Sequence, residues 1–85
     1  MPQLINLYLN NNQISKIENL EPLVNLTSLG LSSNKIKKME GLTTLINLKD
    51  LGLQKNQIEV LEGLEGLNNI KYLTIFGNKI KGTPQ

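Results

Sequence analysis

Asparagine returns at one fixed interval along this chain, at Asn12, Asn34, Asn56 and Asn78. Cut on that period, the sequence reads LINLYLNNNQISKIENLEPLVN (4–25), LTSLGLSSNKIKKMEGLTTLIN (26–47), LKDLGLQKNQIEVLEGLEGLNN (48–69) and a shorter IKYLTIFGNKIKGTPQ (70–85). The second and third segments agree at 11 of 22 positions, so the amide-rich LNNNQI (9–14) belongs to a structural repeat and not to a low-complexity tract. In such an array each repeat buries its apolar face only against its neighbours. At 85 residues the chain is expected to form one domain over 1–85, made of three full repeats and a partial fourth.

Spacing within the repeat gives its shape. Aliphatic residues hold the first, fourth, sixth, eleventh, fourteenth, seventeenth and twentieth positions, which are Leu4, Leu7, Leu9, Ile14, Ile17, Leu20 and Leu23 in the first repeat. The fourth and sixth alternate with other residues as a short half-buried strand does. The later ones, three apart, suit a tight 3₁₀-like return better than a long helix, because Pro22, Gly41, Gly63 and Gly66 sit among them. Strand, turn and return make one coil of a solenoid. Equivalent strands one period apart then pair in parallel through a right-handed crossover.

The ninth position turns the chain out of the strand, leaving backbone groups between coils without strand partners. An amide carries both donor and acceptor, so Asn12, Asn34, Asn56 and Asn78 are expected to be buried and to satisfy backbone on the coils above and below. Neither end of the array carries a polar capping repeat. The chain is therefore expected to be a segment of a longer solenoid or to self-associate as a homo-oligomer through an end, strand four (70–76) pairing with its copy across a two-fold axis while Pro2 blunts the other edge.

The pattern LxxLxLxxNxIxxIExLxxLxNL, running over residues 4–82, resembles the 22-residue class of the leucine-rich repeat family found in the leucine-rich regulatory subunit of protein phosphatase 1. Bacterial internalin-type repeats share the length and the asparagine, while the segments IENLEP, MEGLTT and LEGLEG look more like the eukaryotic type. The resemblance implies an α/β fold: a right-handed leucine-rich-repeat solenoid with a four-stranded parallel sheet on the concave face and 3₁₀ or irregular returns on the convex side. It also implies a non-catalytic protein-protein interaction module, with a phosphatase as one candidate partner, in which acidic and aromatic side chains of successive repeats make the contact.

In such a coil the third, fifth, seventh and eighth positions project from the concave sheet. The candidate partner-binding residues are therefore Asn6, Tyr8, Asn10, Asp50, Gln54, Lys55, Tyr72, Thr74 and Phe76. All three aromatics of the chain, Tyr8, Tyr72 and Phe76, fall on this face, where strand propensity alone would also place them. Gly30 and Gly52 would leave a bare floor between them for the close approach of a partner backbone. Asp50 and Tyr72 share one column in neighbouring repeats, as the phosphatase resemblance asks, but Asn6 and Ser28 fill that column in the first two.

Chemistry beyond binding finds little support. There is no Cys and no His, so a metal or a general base would have to rely on carboxylates, and Asp50 is the one acid on the concave face. Glycines in LGL and EGL lack phosphate-loop spacing. No enzyme, cofactor or metal is expected. Most lysines (Lys16, Lys35, Lys37, Lys38, Lys55, Lys79 and Lys81) gather on one flank, but with no Arg and a net charge of +2 a nucleic-acid partner is not expected. Neither a signal peptide nor a membrane-spanning run is present in the sequence, which points to the cytoplasm or nucleus and away from a membrane partner.

Overall fold

The computed structural model describes residues 3–81; Met1, Pro2 and residues 82–85 lie outside it, and with them the expected edge-blunting role of Pro2. Four three-residue strands, β1 (Asn6–Tyr8), β2 (Ser28–Gly30), β3 (Asp50–Gly52) and β4 (Tyr72–Thr74), form one parallel sheet in sequence order. The register is the repeat itself: Asn6 stands beside Ser28, Ser28 beside Asp50, and Asp50 beside Tyr72.

Three residues past the end of each strand the chain turns through a left-handed residue. The eighth position has a positive φ in every coil, 61° at Asn11, 56° at Ser33, 61° at Lys55 and 74° at Gly77. Asparagine visits this region readily, whereas a lysine there carries a Cβ penalty of about 1–2 kcal/mol. Lys55→Asn is therefore expected to stabilise the chain by up to about 1 kcal/mol, read as a raised urea midpoint.

The sixteenth position is left-handed as well, at Asn19 (φ 63°), Gly41 and Gly63 (φ 76°). Here packing adds a second demand. A Cβ on Gly41 would lie 3.0 Å from the Ile17 carbonyl oxygen of the coil before it, and one on Gly63 would press still closer on the Met39 carbonyl. Asn19 has no coil before it among the described residues, which leaves room for its side chain.

The return segments are chains of single turns with no helix among the described residues, so the convex layer is irregular. Leu23 N–H donates to the Leu20 carbonyl and Leu26 N–H to the Leu23 carbonyl, a pair of three-residue steps repeated at Leu45 and Leu48. These steps aim the seventeenth and twentieth positions inward. Every one of the aliphatic positions except Leu61 lies in the core or against it. In the second coil all seven, from Leu26 to Leu45, are at most 2% exposed. Leu61 is 39% exposed. Its counterparts Ile17 and Met39 are each followed by a further described coil, whereas the equivalent position after Leu61 falls in 82–85, outside the described residues.

The asparagine ladder forms, and it runs in one direction. Asn34 Oδ1 accepts from Ile14 N–H at 3.1 Å, and its Nδ2 donates to the Leu9 carbonyl at 3.1 Å and the Leu31 carbonyl at 3.0 Å. Asn56 repeats this with Ile36 N–H and the carbonyls of Leu31 and Leu53, and Asn78 with Ile58 N–H and the carbonyls of Leu53 and Ile75. Each amide thus joins its own coil to the preceding one and does not reach the following one. That corrects the expectation for Asn12, which is exposed and donates only within its own coil, to the carbonyls of Leu9 and Asn10. No earlier coil stands beside it among the described residues. Asn78 is half-buried, and only Asn34 and Asn56 are fully enclosed.

A second ladder runs along the twenty-second position. Asn47 Nδ2 donates to the Val24 carbonyl and Asn69 Nδ2 to the Ile46 carbonyl, both at 3.0 Å. It ties the exposed corners of successive coils where no strand hydrogen bonds exist.

Candidate functional site

Core packing on one side of the sheet leaves its other side to the odd positions of each strand, and these form the concave face. A groove of about 180 Å³ crosses all four strands there. Tyr8 and Asn10 contribute from β1 and its exit, Gly30 and Ser32 from β2, Asp50, Gly52 and Gln54 from β3, and Thr74 from β4, with Leu29 beneath. Five of the sequence candidates, Tyr8, Asn10, Asp50, Gln54 and Thr74, therefore converge on one depression. Asn6, Lys55, Tyr72 and Phe76 do not line it. Tyr72 (67% exposed) and Phe76 (61%) stand on the β4 side, and Asn6 and Lys55 are exposed elsewhere on the same coils.

The glycine floor is not bare. Tyr8 is in register with Gly30 and leans across it, its Cδ1 only 2.9 Å from where a Cβ on Gly30 would sit, and the Asn10 amide closes the other side at 3.0 Å. Gly30 is consequently buried, with no space left for a partner backbone. Asn10 is itself fixed, because its Oδ1 accepts from both Ser32 N–H (2.8 Å) and Ser32 Oγ–H (2.9 Å). Gly52, half-buried, is the less enclosed part of the floor. Gln54 folds back over it, with Oε1 3.2 Å from the position of a Cβ on Gly52.

That Oε1 is buried without a hydrogen-bond partner, the one such side-chain atom found among the described residues. A buried orphan acceptor costs about 1–3 kcal/mol, so it marks a place that is incomplete as it stands. The sequence placed Gln54 on this face but held no sign that it would bend along the strand into the gap left by a glycine. No group of three or more His, Cys, Asp or Glu side chains able to hold a metal ion occurs among the described residues.

Comparison with known proteins agrees with this architecture. No curated protein matches the chain. Among solved structures, an internalin (inlF) from Listeria monocytogenes str. 4b F2365 superposes with a TM-score of 0.89 at 26% identity, over 95% of this chain and 24% of the internalin chain. The chain thus spans about a quarter of that protein's length. The solved neighbour is a bacterial internalin, the type from which the segments IENLEP, MEGLTT and LEGLEG pointed away, and the phosphatase-regulator type gains no support from it. The family model described as leucine-rich repeats in two copies matches residues 2–44, half of the chain. With the repeat register, the inward leucines and the interior asparagines, this places the chain in the leucine-rich repeat family.

Proposed function

We propose that the chain is a non-catalytic protein-protein interaction module that binds through its concave face. The observation that carries this reading is the groove across β1 to β4, lined by side chains that the core does not use and flanked by the exposed rings of Tyr8, Tyr72 and Phe76. Exposed aromatics around a polar depression supply large contact area at small entropic cost, as anchor residues at interfaces do. A phosphatase-regulator-like contact is the finer form of this reading, and it rests on Asp50 standing in register beside Tyr72.

Strand spacing limits the strength of binding. Three steps of about 4.8 Å give a face well short of the roughly 800 Å² per partner of a stable interface, so a partner engages this surface weakly or also grips its rims.

A second reading, end-to-end self-association, is favoured by the β4 side. There β4 has no further strand beyond it among the described residues, and Val60 (50% exposed), Leu61, Tyr72 and Phe76 lie open. One experiment separates the two. A photoreactive phenylalanine analogue at position 76 is expected to cross-link a different protein under the module reading and a second copy of this chain under the self-association reading. The same probe at Lys38, on the lysine-rich flank, is expected to give neither. Equal labelling from both positions would overturn the concave face as the contact surface.

A further inference from the structure

We propose that the floor of the groove at Gly52, with Gln54 folded over it, is a subsite for a single basic side chain of the bound partner, best filled by an arginine guanidinium; this rests on the concave-face reading and names what that face selects. Gly52 is flanked along β3 by Asp50 on one side and Gln54 on the other, with Thr74 in register beside it on β4. Across the neighbouring Gly30 stands the Tyr8 ring. The depression is therefore walled on four sides and open above.

Its polar atoms are mismatched to one another in a consistent way. Gln54 Oε1 is buried with no donor, and turning the amide over would bury two unpaired N–H bonds in its place. Asp50 offers a carboxylate, which only accepts when ionised. Asn10 Oδ1 already has two donors from Ser32 and is not available to serve Gln54. What the site lacks is donors and positive charge. No lysine is among the lining residues, and Asp50 is the charged side chain there among the described residues. The chain as a whole is basic, at +2, so a cation drawn to this face responds to the local acceptors and not to the overall field.

Guanidinium fits these demands better than other groups. It is planar and carries five N–H donors in a fixed fork, which can address the Asp50 carboxylate and, as the Gln54 side chain turns up from the floor, its amide oxygen at the other end of the glycine. Its flat face can lie against the Tyr8 ring. A lysine ammonium satisfies the charge but concentrates its donors at one point. A carboxylate or phosphate is excluded by the acceptors already present.

The test is a two-dimensional amide NMR titration of the 85-residue chain with the peptide Ac-Gly-Arg-Gly-NH2, alongside its lysine counterpart and a neutral citrulline counterpart. Arginine is expected to move the Gly52 backbone resonance and the Gln54 side-chain amide with a millimolar dissociation constant, lysine more weakly, and citrulline not at all. Asp50 is exposed, so Asp50→Asn should fold normally and weaken arginine binding by about tenfold, the loss of one charge-assisted hydrogen bond. Equal shifts with citrulline, shifts scattered over the surface, or indifference to Asp50→Asn would overturn the subsite. Concave cross-links from position 76 in the presence of any of those results would leave the interaction module standing without it.

Discussion

Replacing Asn56 with leucine is expected to lower stability by the cost of one orphaned buried polar group, about 1–3 kcal/mol, read from the urea midpoint at unchanged slope. The substitution leaves Ile36 N–H without its acceptor in buried surroundings, while the Leu31 and Leu53 carbonyls lose one donor each and keep another, from Asn34 and Asn78. Each orphaned group costs about 1–3 kcal/mol. Against a total of about 4–13 kcal/mol for a domain of this size, that is a large share of the stability. Asn12→Leu serves as the control within the same molecule. Its bonds are exposed and confined to one coil, so the loss should stay below about 1 kcal/mol. Equal losses at Asn12 and Asn56 would mean that the ladder does not join coils in the direction described.

Gly63→Ala is expected to cost about 2–4 kcal/mol, whereas Gly66→Ala, three residues on, should cost about 1 kcal/mol. Both glycines are left-handed, with φ of 76° and 80°, so both substitutions carry the same backbone penalty. They differ in space. A Cβ on Gly66 meets nothing within 4 Å, while one on Gly63 runs into the Met39 carbonyl. That carbonyl belongs to a residue only 1% exposed, locked in the core by its own side chain, so it cannot retreat without shifting a coil. Thermal unfolding of the two variants checks this directly. Matching midpoints would show that the coils have more room between them than the geometry allows.

Much of the architecture was legible because the repeat forces it. Once each coil takes up one full period, strand order, parallel pairing and register follow, and so does the inward placement of all but one aliphatic position. Leu61 is the exception because burial in a solenoid is supplied by the neighbour and not by the residue itself. The same logic explains Asn12, whose sequence context matches that of Asn34 but beside which no earlier coil stands among the described residues. Two further series stand in the sequence whose roles spacing alone does not assign: the asparagine of the repeat pattern at Asn25, Asn47 and Asn69, and Asn19, Gly41, Gly63, which share a left-handed backbone. The left-handed eighth position, filled by Asn, Ser, Lys and Gly, carries no such mark, because the coil imposes that conformation on whatever residue stands there.

Of the groove, the sequence named five lining side chains and misjudged the floor. Side chains on a sheet do not only stand upright, and next to glycine they fall sideways into the gap. Tyr8 and Asn10 close over Gly30 and Gln54 over Gly52, arrangements that depend on three-dimensional neighbours in adjacent coils and leave no trace in spacing.

The crowded sixteenth position makes the array polar in how it can lengthen. Duplicating 26–47 in tandem presents a glycine to every carbonyl it meets, so the inserted copy seats like its parent. Duplicating 4–25 in tandem sets a second Asn19 against the Ile17 oxygen of the original, at the spot where even a Cβ on Gly41 would stand only 3.0 Å away. Expansion, whether by recombination or by design, is therefore favoured through copies of the middle module, with the founding module kept at the outside.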